Sequence, residues 1–276
     1  TPVRTSVPAC RDQMTTILQI TDTHIVREGA LVSDRLDTAA ALARLIDRIQ
    51  SVRNQIGAID VVLISGDLSD DGSAQSYERF KAILAPLDLP LLVIPGNHDA
   101  RGPMRAAFAD QFTQDGPLDW VTQVGDLKII GLDTLVEGSG KGTLSAQSLE
   151  FLTTALAEGN ETPTLLSLHH PPFRSGINFM DDIGLTNRAA FRDVVSDHTG
   201  PLRIVCGHIH SMMVADVGGH IAISAPSPCS TFAYDRRPDA PVGFMTLEDG
   251  CVLHTWDGGF QTIRIGPDTG PGPFPF

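Results

Sequence analysis

The chain has 276 residues, 42% of them hydrophobic, and a formal net charge of -13. That is enough apolar content to bury one full α/β core, and too acidic a balance for the basic stripe that a long polyanion such as duplex DNA requires. No run approaches the roughly 18 consecutive apolar residues of a membrane span, and the four cysteines, Cys10, Cys206, Cys229 and Cys251, are too scattered for a disulfide framework, so a soluble protein of the reducing cytoplasm is expected.

Residues 1–13 carry Pro2, Arg4, Pro8, Arg11 and Asp12 without an apolar core, and read as an N-terminal extension rather than a secretory signal. Apolar, β-branched runs then alternate with helical patterns: strand 16–21, helix 34–55, strand 60–65, helix 73–84, strand 90–94 and helix 102–112. The long first helix places Leu36, Ala40, Ala43, Ile46 and Ile49 toward a sheet, with Ser33 or Asp34 as its N-cap. Strands at 120–124 and 128–133 follow, then a helix at 146–158 capped by Ser145 and a strand at 164–168. The next segment, 169–185, holds Pro171, Pro172, Gly176 and Gly184 and is long for a simple connection, which suggests a loop covering a site. A helix at 187–198 and a strand at 202–206 restore the alternation. After them 212–217, 220–224, 243–247 and 252–256 read as mainly antiparallel strands, and the tail 266–276 is Gly/Pro-rich. One α/β domain over 14–265 is expected, with a lid-like loop at 171–186.

Five polar clusters fall just past the carboxyl ends of predicted strands: Asp22-Thr-His24, Gly66-Asp67, Gly96-Asn97-His98-Asp99, His169-His170 and Gly207-His208-Ile-His210. Open α/β sheets gather their ligand sites at that end, so the clusters become spatial neighbours. Asp22 and His24 stand two apart in a segment expected to be extended, where both side chains point the same way and can hold a cation between oxygen and nitrogen. Asp67 can bridge two metals or cap the following helix, although Asp70 or Asp71 fits that cap better. Asn97 offers a neutral oxygen ligand, and His98 beside it is the candidate catalytic group. His169 and the 208/210 pair are equally compatible with ligation or packing when taken singly. Together with the other clusters they point to a two-metal hydrolytic centre. His198, His220 and His254 lie off these strand ends and read as structural or surface residues, and Cys206, Phe173, Phe179 and Met180 as packing.

The set Asp22-Thr-His24, Gly66-Asp67-Leu-Ser-Asp70, Gly96-Asn97-His98-Asp99, His169 and Gly207-His208-Ile-His210 resembles the calcineurin-like metallophosphoesterase superfamily from residue 17 to about 255. Within it, His169-His170-Pro171-Pro172, the lid-like 180–187 and Ala225-Pro226-Ser227-Pro228-Cys229 resemble the class III cyclic nucleotide phosphodiesterase and glycerophosphodiesterase branch. The resemblance implies a four-layer α-β-β-α sandwich of two mixed sheets flanked by helices. It also implies two divalent or trivalent metal ions, drawn from Fe, Mn, Zn and Co. Asp22, His24, Asp67 and His210 would hold one ion, and Asp67, Asn97, His169 and His208 the other, with Asp67 bridging. The implied activity is hydrolysis of small phosphodiesters, 3',5'-cyclic nucleotides or glycerophosphodiesters, by in-line attack of a metal-bridging hydroxide. Asn97 and His98 would bind substrate, His98 would protonate the leaving alkoxide, and Asp70 would orient His98, with Asp99 in support. His170 either reaches the substrate or packs under the lid. A broad-specificity phosphomonoesterase and a non-catalytic interaction module of the same fold are the alternatives. A homodimer or higher homo-oligomer is expected, with no duplex nucleic acid partner.

Overall fold

The computed structural model describes residues 14–112, 115–246, 250–266 and 274. The expectations for 1–13 and for nearly all of the tail fall outside those residues. In chain order the first elements are β1 (Thr15–Ile20), α1 (Thr38–Ile56), β2 (Val61–Ile64), α2 (Ala74–Leu84), β3 (Leu91–Val93) and α3 (Arg101–Ala107). They are followed by β4 (Trp120–Val124), β5 (Leu127–Leu132), α4 (Ala146–Ala157), β6 (Thr164–Leu168), α5 (Asn178–Asp182) and α6 (Arg188–Ser196). The last are β7 (Leu202–Cys206), β8 (Val214–Val217), β9 (His220–Ser224), β10 (Cys251–Trp256) and β11 (Phe260–Ile265).

These strands build two mixed sheets, ordered β11-β10-β1-β2-β3 and β4-β5-β6-β7-β9-β8. β1, β2 and β3 are parallel, with β10 antiparallel to β1. In the second sheet β5, β6, β7 and β9 run parallel, and β4 and β8 are antiparallel edges. The antiparallel expectation for this stretch holds for the β8–β9 hairpin and for β10, which is antiparallel to both β1 and β11, whereas β9 also pairs in parallel with β7.

The two-residue period of the second sheet explains the layering. Leu127, Ile129, Leu165 and Val205 join the core facing the first sheet, whereas their neighbours Ile130, Leu132, Leu166, Ile204 and Cys206 join a second core with Leu152, Leu156, Phe191 and Val195 of α4 and α6. Both faces are therefore buried, and the strands read as continuous apolar runs rather than alternating ones. On the far side, Leu42, Leu45, Ile46 and Ile49 of α1 and Tyr77 and Phe80 of α2 cover β1 and β2. The result is helix, sheet, sheet, helix. Between the sheets Gln19 donates to Ser65 Oγ at 2.8 Å and to the Cys206 carbonyl at 3.0 Å, and its own oxygen lies 2.9 Å from His254 Nε2, so these polar groups are paired.

Several boundaries differ from the sequence reading. The N-cap of α1 is Asp37, which accepts from the Ala40 amide, and not Ser33 or Asp34. Those two instead occupy the centre of a tight turn with φ of 52° and 53°. The buried face of α1 is correspondingly rotated, leaving Ala43 exposed and burying Ala39, Ala41, Leu42 and Leu45. α2 is capped by Ser73, and Asp71 braces that cap by accepting from the Ser73 amide and the Ser76 hydroxyl. α3 stops at Ala107 because Phe108 leaves helical φ and ψ, and its ring lies edge-on against Tyr77 and Phe80. Of the expected strand at 243–247, residue 247 lies outside the described residues, and 243–246 form one isolated bridge, Thr231 with Met245. β11 went unread, although Asp257-Gly-Gly between two apolar runs is a hairpin signal.

Candidate metal centre

β1, β2 and β3 of one sheet and β6 and β7 of the other end on the same side, and their following loops converge. Past β1, the chain stays tied to the loop after β2: the amides of Asp22, His24 and Ile25 donate to the carbonyls of Gly66, Asp67 and Leu68 at 3.0, 2.9 and 3.0 Å. The segment is not extended as expected. Asp22, His24, Asp67, His208 and His210 all have φ between 45° and 69°, the left-handed region that costs an L-residue roughly 1 kcal/mol. These kinks aim five side chains inward, and the bonds that fix them are strong. The Asp22 carboxylate accepts from the His208 amide at 3.0 Å and the Thr21 hydroxyl at 2.8 Å, while its carbonyl accepts from Ser227 Oγ at 2.8 Å.

Asp99 ties the loops after β2 and β3 together. Its carboxylate accepts from the amides of Leu68, Ser69 and Gly96 and from the Tyr77 hydroxyl. Burial and the nearby Asp67 carboxylate push its pKa up to about 6 against these donors. The loops meet so closely that a Cβ on Gly96 would stand 2.2 Å from Asp67 Oδ1. Asp67 Oδ1 also accepts from the His98 amide at 2.8 Å.

The donor atoms then form two groups with Asp67 between them. In the first, His210 Nε2 lies 3.3 Å from Asp22 Oδ1 and 3.2 Å from His24 Nε2. In the second, Asn97 Oδ1 lies 3.2 Å from His169 Nε2 and 2.9 Å from His208 Nδ1. Asp67 Oδ2 is 3.7 Å from His24 Nε2 and 3.3 Å from His169 Nε2. Asp22, His24 and His210, and likewise Asp22, Asp67 and His169, have ligand atoms within 4.8 Å of one another, as do His24, Asp67 and His98.

This arrangement fits cations. Nδ1 of His24, His169 and His210 is engaged by Asp70 Oδ1, the Ser65 carbonyl and Ser230 Oγ at 3.0, 2.9 and 3.0 Å. Each Nε2 is thereby left as a lone pair aimed at the centre. Two such lone pairs 3.2 Å apart, on His24 and His210, repel unless positive charge lies between them. The carboxylates exert that demand on the rings themselves. Burial opposes a protonated His24, yet Asp70, Asp67 and Asp22 outweigh it and raise its pKa to about 9. Burial likewise opposes protonation of His169, and Asp67 and Asp22 raise its pKa to about 9.

His98 is set apart from the buried ligand candidates, its side chain 40% exposed, with Nδ1 3.2 Å from the Asp70 carbonyl and 3.3 Å from Asp70 Oδ1. Asp70 therefore serves His24 and His98 together. His170 is fully buried behind the centre, Nδ1 at 2.8 Å from Thr134 Oγ1 and Nε2 at 3.2 Å from the Gly140 carbonyl. Burial and then His169 push its pKa down to about 3, which keeps it neutral and favours the packing alternative. Ser65, Ser230 and Tyr77 are invisible as site residues in the sequence, since a serine in a loop or a tyrosine on a helix carries no spacing signal, and Ser227 stands out there only within the Ala225–Cys229 segment of the resemblance.

Three comparisons place this geometry among known proteins. The sequence pattern of the family described as calcineurin-like phosphoesterase matches residues 15–212. A probable glycerophosphodiester phosphodiesterase of Arcobacter nitrofigilis is 33% identical over 265 residues, covering 94% of this chain and 96% of that protein. A 3',5'-cyclic adenosine monophosphate phosphodiesterase of Pseudomonas aeruginosa is 32% identical over 222 residues, 80% of this chain and 79% of that one. Among solved structures, a dimetal phosphatase from Danio rerio superposes with a TM-score of 0.61 at 16% identity, covering 91% of this chain and 98% of that chain, so the fold is shared. With the family pattern spanning β1 to the end of the 208/210 cluster, the chain belongs to the calcineurin-like phosphoesterase family.

Proposed function

We propose that this protein is a dinuclear-metal phosphodiesterase acting on small phosphodiesters, with 3',5'-cyclic nucleotides and glycerophosphodiesters as the candidate substrates. The observation that carries the proposal is the pair of donor groups flanking Asp67, which together contain seven ligand candidates but only two carboxylates. Two divalent cations held by that set would stay under-neutralised, which favours binding of an anionic ester in a chain otherwise acidic. Asp22, His24 and His210 would hold one ion and Asn97, His169 and His208 the other, with Asp67 shared. The relatives' names, a cyclic AMP phosphodiesterase and a probable glycerophosphodiester phosphodiesterase, support the diester over the monoester. Fe, Mn, Zn and Co all suit such a mixed donor set.

Bound there, the ions supply Lewis-acid charge for the phosphoryl oxygens and lower the pKa of water. The chain's own groups do the rest. Asp67 and Asp22 are fixed by amide donors, so the donor atoms are placed before substrate arrives. With Nδ1 of His98 donating to the Asp70 carbonyl, Nε2 carries a proton only when the ring is an imidazolium; that cation would bond a phosphoryl oxygen through Nε2 and give the Nε2 proton to the departing alkoxide, leaving His98 neutral. Among the described residues no helix is long and apolar enough to cross a membrane. A homo-oligomer and a cytoplasmic setting remain parts of the proposal.

The test is a panel of cyclic AMP, glycerophosphocholine and an aryl phosphate monoester, assayed with Mn or Co present. Higher kcat/KM on the diesters is expected, and diester rates no better than monoester rates would reject the assignment. His98→Ala should lower turnover by roughly 10² to 10⁴ with metal content kept.

A further inference from the structure

A cavity of about 120 Å³ opens beside His24, His98 and His210, and nothing in the catalytic argument uses it. Its walls are apolar: Val32, Leu36, Cys229, Phe232 and Phe244. No lysine or arginine lines it, and its one carboxylate, Asp70, is already shared by His24 and His98. Each wall is held by backbone bonds rather than by chance packing. Ser33 and Asp34, both at positive φ, form the centre of a turn in which Val32 and Leu36 bond to each other in both directions, amide to carbonyl, at 3.0 and 2.9 Å. Such a turn at two non-glycine residues is costly, and strain of this kind concentrates where a wall must stand in one place. Opposite, the Thr231–Met245 bridge joins, at 3.0 and 2.8 Å, the two segments that carry Phe232 and Phe244. Phe232 is braced from behind by Phe179 of α5 in the lid-like loop, ring centroids 5.3 Å apart, and stacks 4.7 Å from the His210 ring.

We infer that this cavity is the specificity pocket of the site, and that Phe244, Phe232, Val32 and Leu36 select esters carrying a flat, uncharged ring, a nucleobase or an aryl group, over esters of a polyol. The inference rests on the proposed phosphoester chemistry and adds to it the substrate class. An apolar cavity of ~150 Å³ holds one benzene ring, so this smaller space, which opens on the site histidines, takes the inserted end of a flat ring system: most of an aryl ring, or one of the two fused rings of a purine. A polyol placed there would lose hydrogen bonds to water with Ser33 and Ser230 as the only neutral hydroxyl partners on the lining, whereas a ring gains stacking on aromatic faces.

The experiment is calorimetric titration of the metal-loaded protein with phenyl phosphate and with glycerol 3-phosphate, which share the phosphoryl group and differ in what it carries. Phenyl phosphate should bind the wild-type protein more tightly by about 5- to 100-fold, the usual range for one stacked ring. Phe244→Ala should erase most of that ratio, and Phe244→Trp should restore it. In turnover assays the ratio of kcat/KM for cyclic AMP over glycerophosphoglycerol should fall in step in the alanine variant. Equal binding of the two esters by the wild type, or a ratio unmoved by Phe244→Ala, would overturn the pocket assignment while leaving the phosphodiesterase proposal standing. Binding of neither ester would instead remove the phosphoryl site on which the pocket depends.

Discussion

Replacing Gly66 by Ala should unseat His169. Gly66 has a φ of 102°, and a Cβ built on it lies 2.2 Å from Nδ1, 2.6 Å from Cγ and 2.9 Å from Cβ of His169. An ordinary contact begins near 3.4 Å, so the ring has to retreat by about 1.2 Å (3.4 - 2.2). His169 is fully buried, and its ring is held by the 2.9 Å bond to the Ser65 carbonyl and by Asn97 and Asp67 at 3.2 and 3.3 Å. A retreat of that size breaks the first bond and carries Nε2 away from its partners. Backbone strain of roughly 1–2 kcal/mol and a lost buried hydrogen bond of about 1–3 kcal/mol together give a destabilisation of about 2–5 kcal/mol. Metal affinity at the Asn97–His169–His208 group should fall at least 10- to 100-fold, roughly the cost of misorienting one ligand. Elemental analysis after exhaustive dialysis, with urea unfolding alongside, reads both effects. Gly102→Ala is the control, since nothing beyond its chain neighbours lies within 4 Å of its added methyl group; Pro103 offsets the usual helical gain of alanine, and metal content should stay intact. Two metals per chain retained at wild-type affinity in Gly66→Ala would refute the reasoning.

Two further perturbations probe the scaffold. Arg101 pairs with the fully buried Asp133 through two bonds of 2.7 and 3.0 Å, so Arg101→Met should cost about 2–4 kcal/mol, reduced from the usual loss because Asp133 keeps the amides of Leu118 and Leu135. Tm should fall by roughly 5–10 °C, and an unchanged Tm would contradict it. Asp119 is the pH-dependent case: burial, with Asp133 nearby, raises its pKa from 3.8 to about 6. The folded chain therefore binds a proton that the unfolded chain releases between those values, so this group's contribution is present below about pH 4 and lost as pH rises through 6. Asp119→Asn keeps an oxygen for the Asp133 amide and, relative to wild type, should gain about 1–3 kcal/mol between pH 4 and pH 7.5 in urea midpoints. Parallel pH profiles would count against it.

The sequence made the site legible because its residues cluster at strand ends, where position along the chain and position in space coincide. Asp22, Asp67, Asn97, His169 and His208 each follow a strand by a few residues, so alternation alone predicts that they meet. Conformation was less legible. The left-handed kinks at Asp22, His24 and His210 come from bonds between loops that are distant in sequence, such as the Asp22 amide to Gly66 and the Asp22 carboxylate to His208, and no local propensity encodes them. The same holds for Asp70, which the family resemblance makes a partner of His98 while the geometry divides it between His98 and His24. Ser33-Asp34 looked like a cap because those residue types favour both caps and positive-φ turns. Only the contact of Val32 and Leu36 across the turn separates the two.

Two metal ions that share Asp67 are what the proposed function requires. Anomalous diffraction from crystals grown with Mn tests it directly. Two peaks are expected, one among Asp22, His24 and His210 and one among Asn97, His169 and His208, with Asp67 in ligand contact with both and His98 with neither. A single peak, or an ion held by His98 in place of His210, would contradict it.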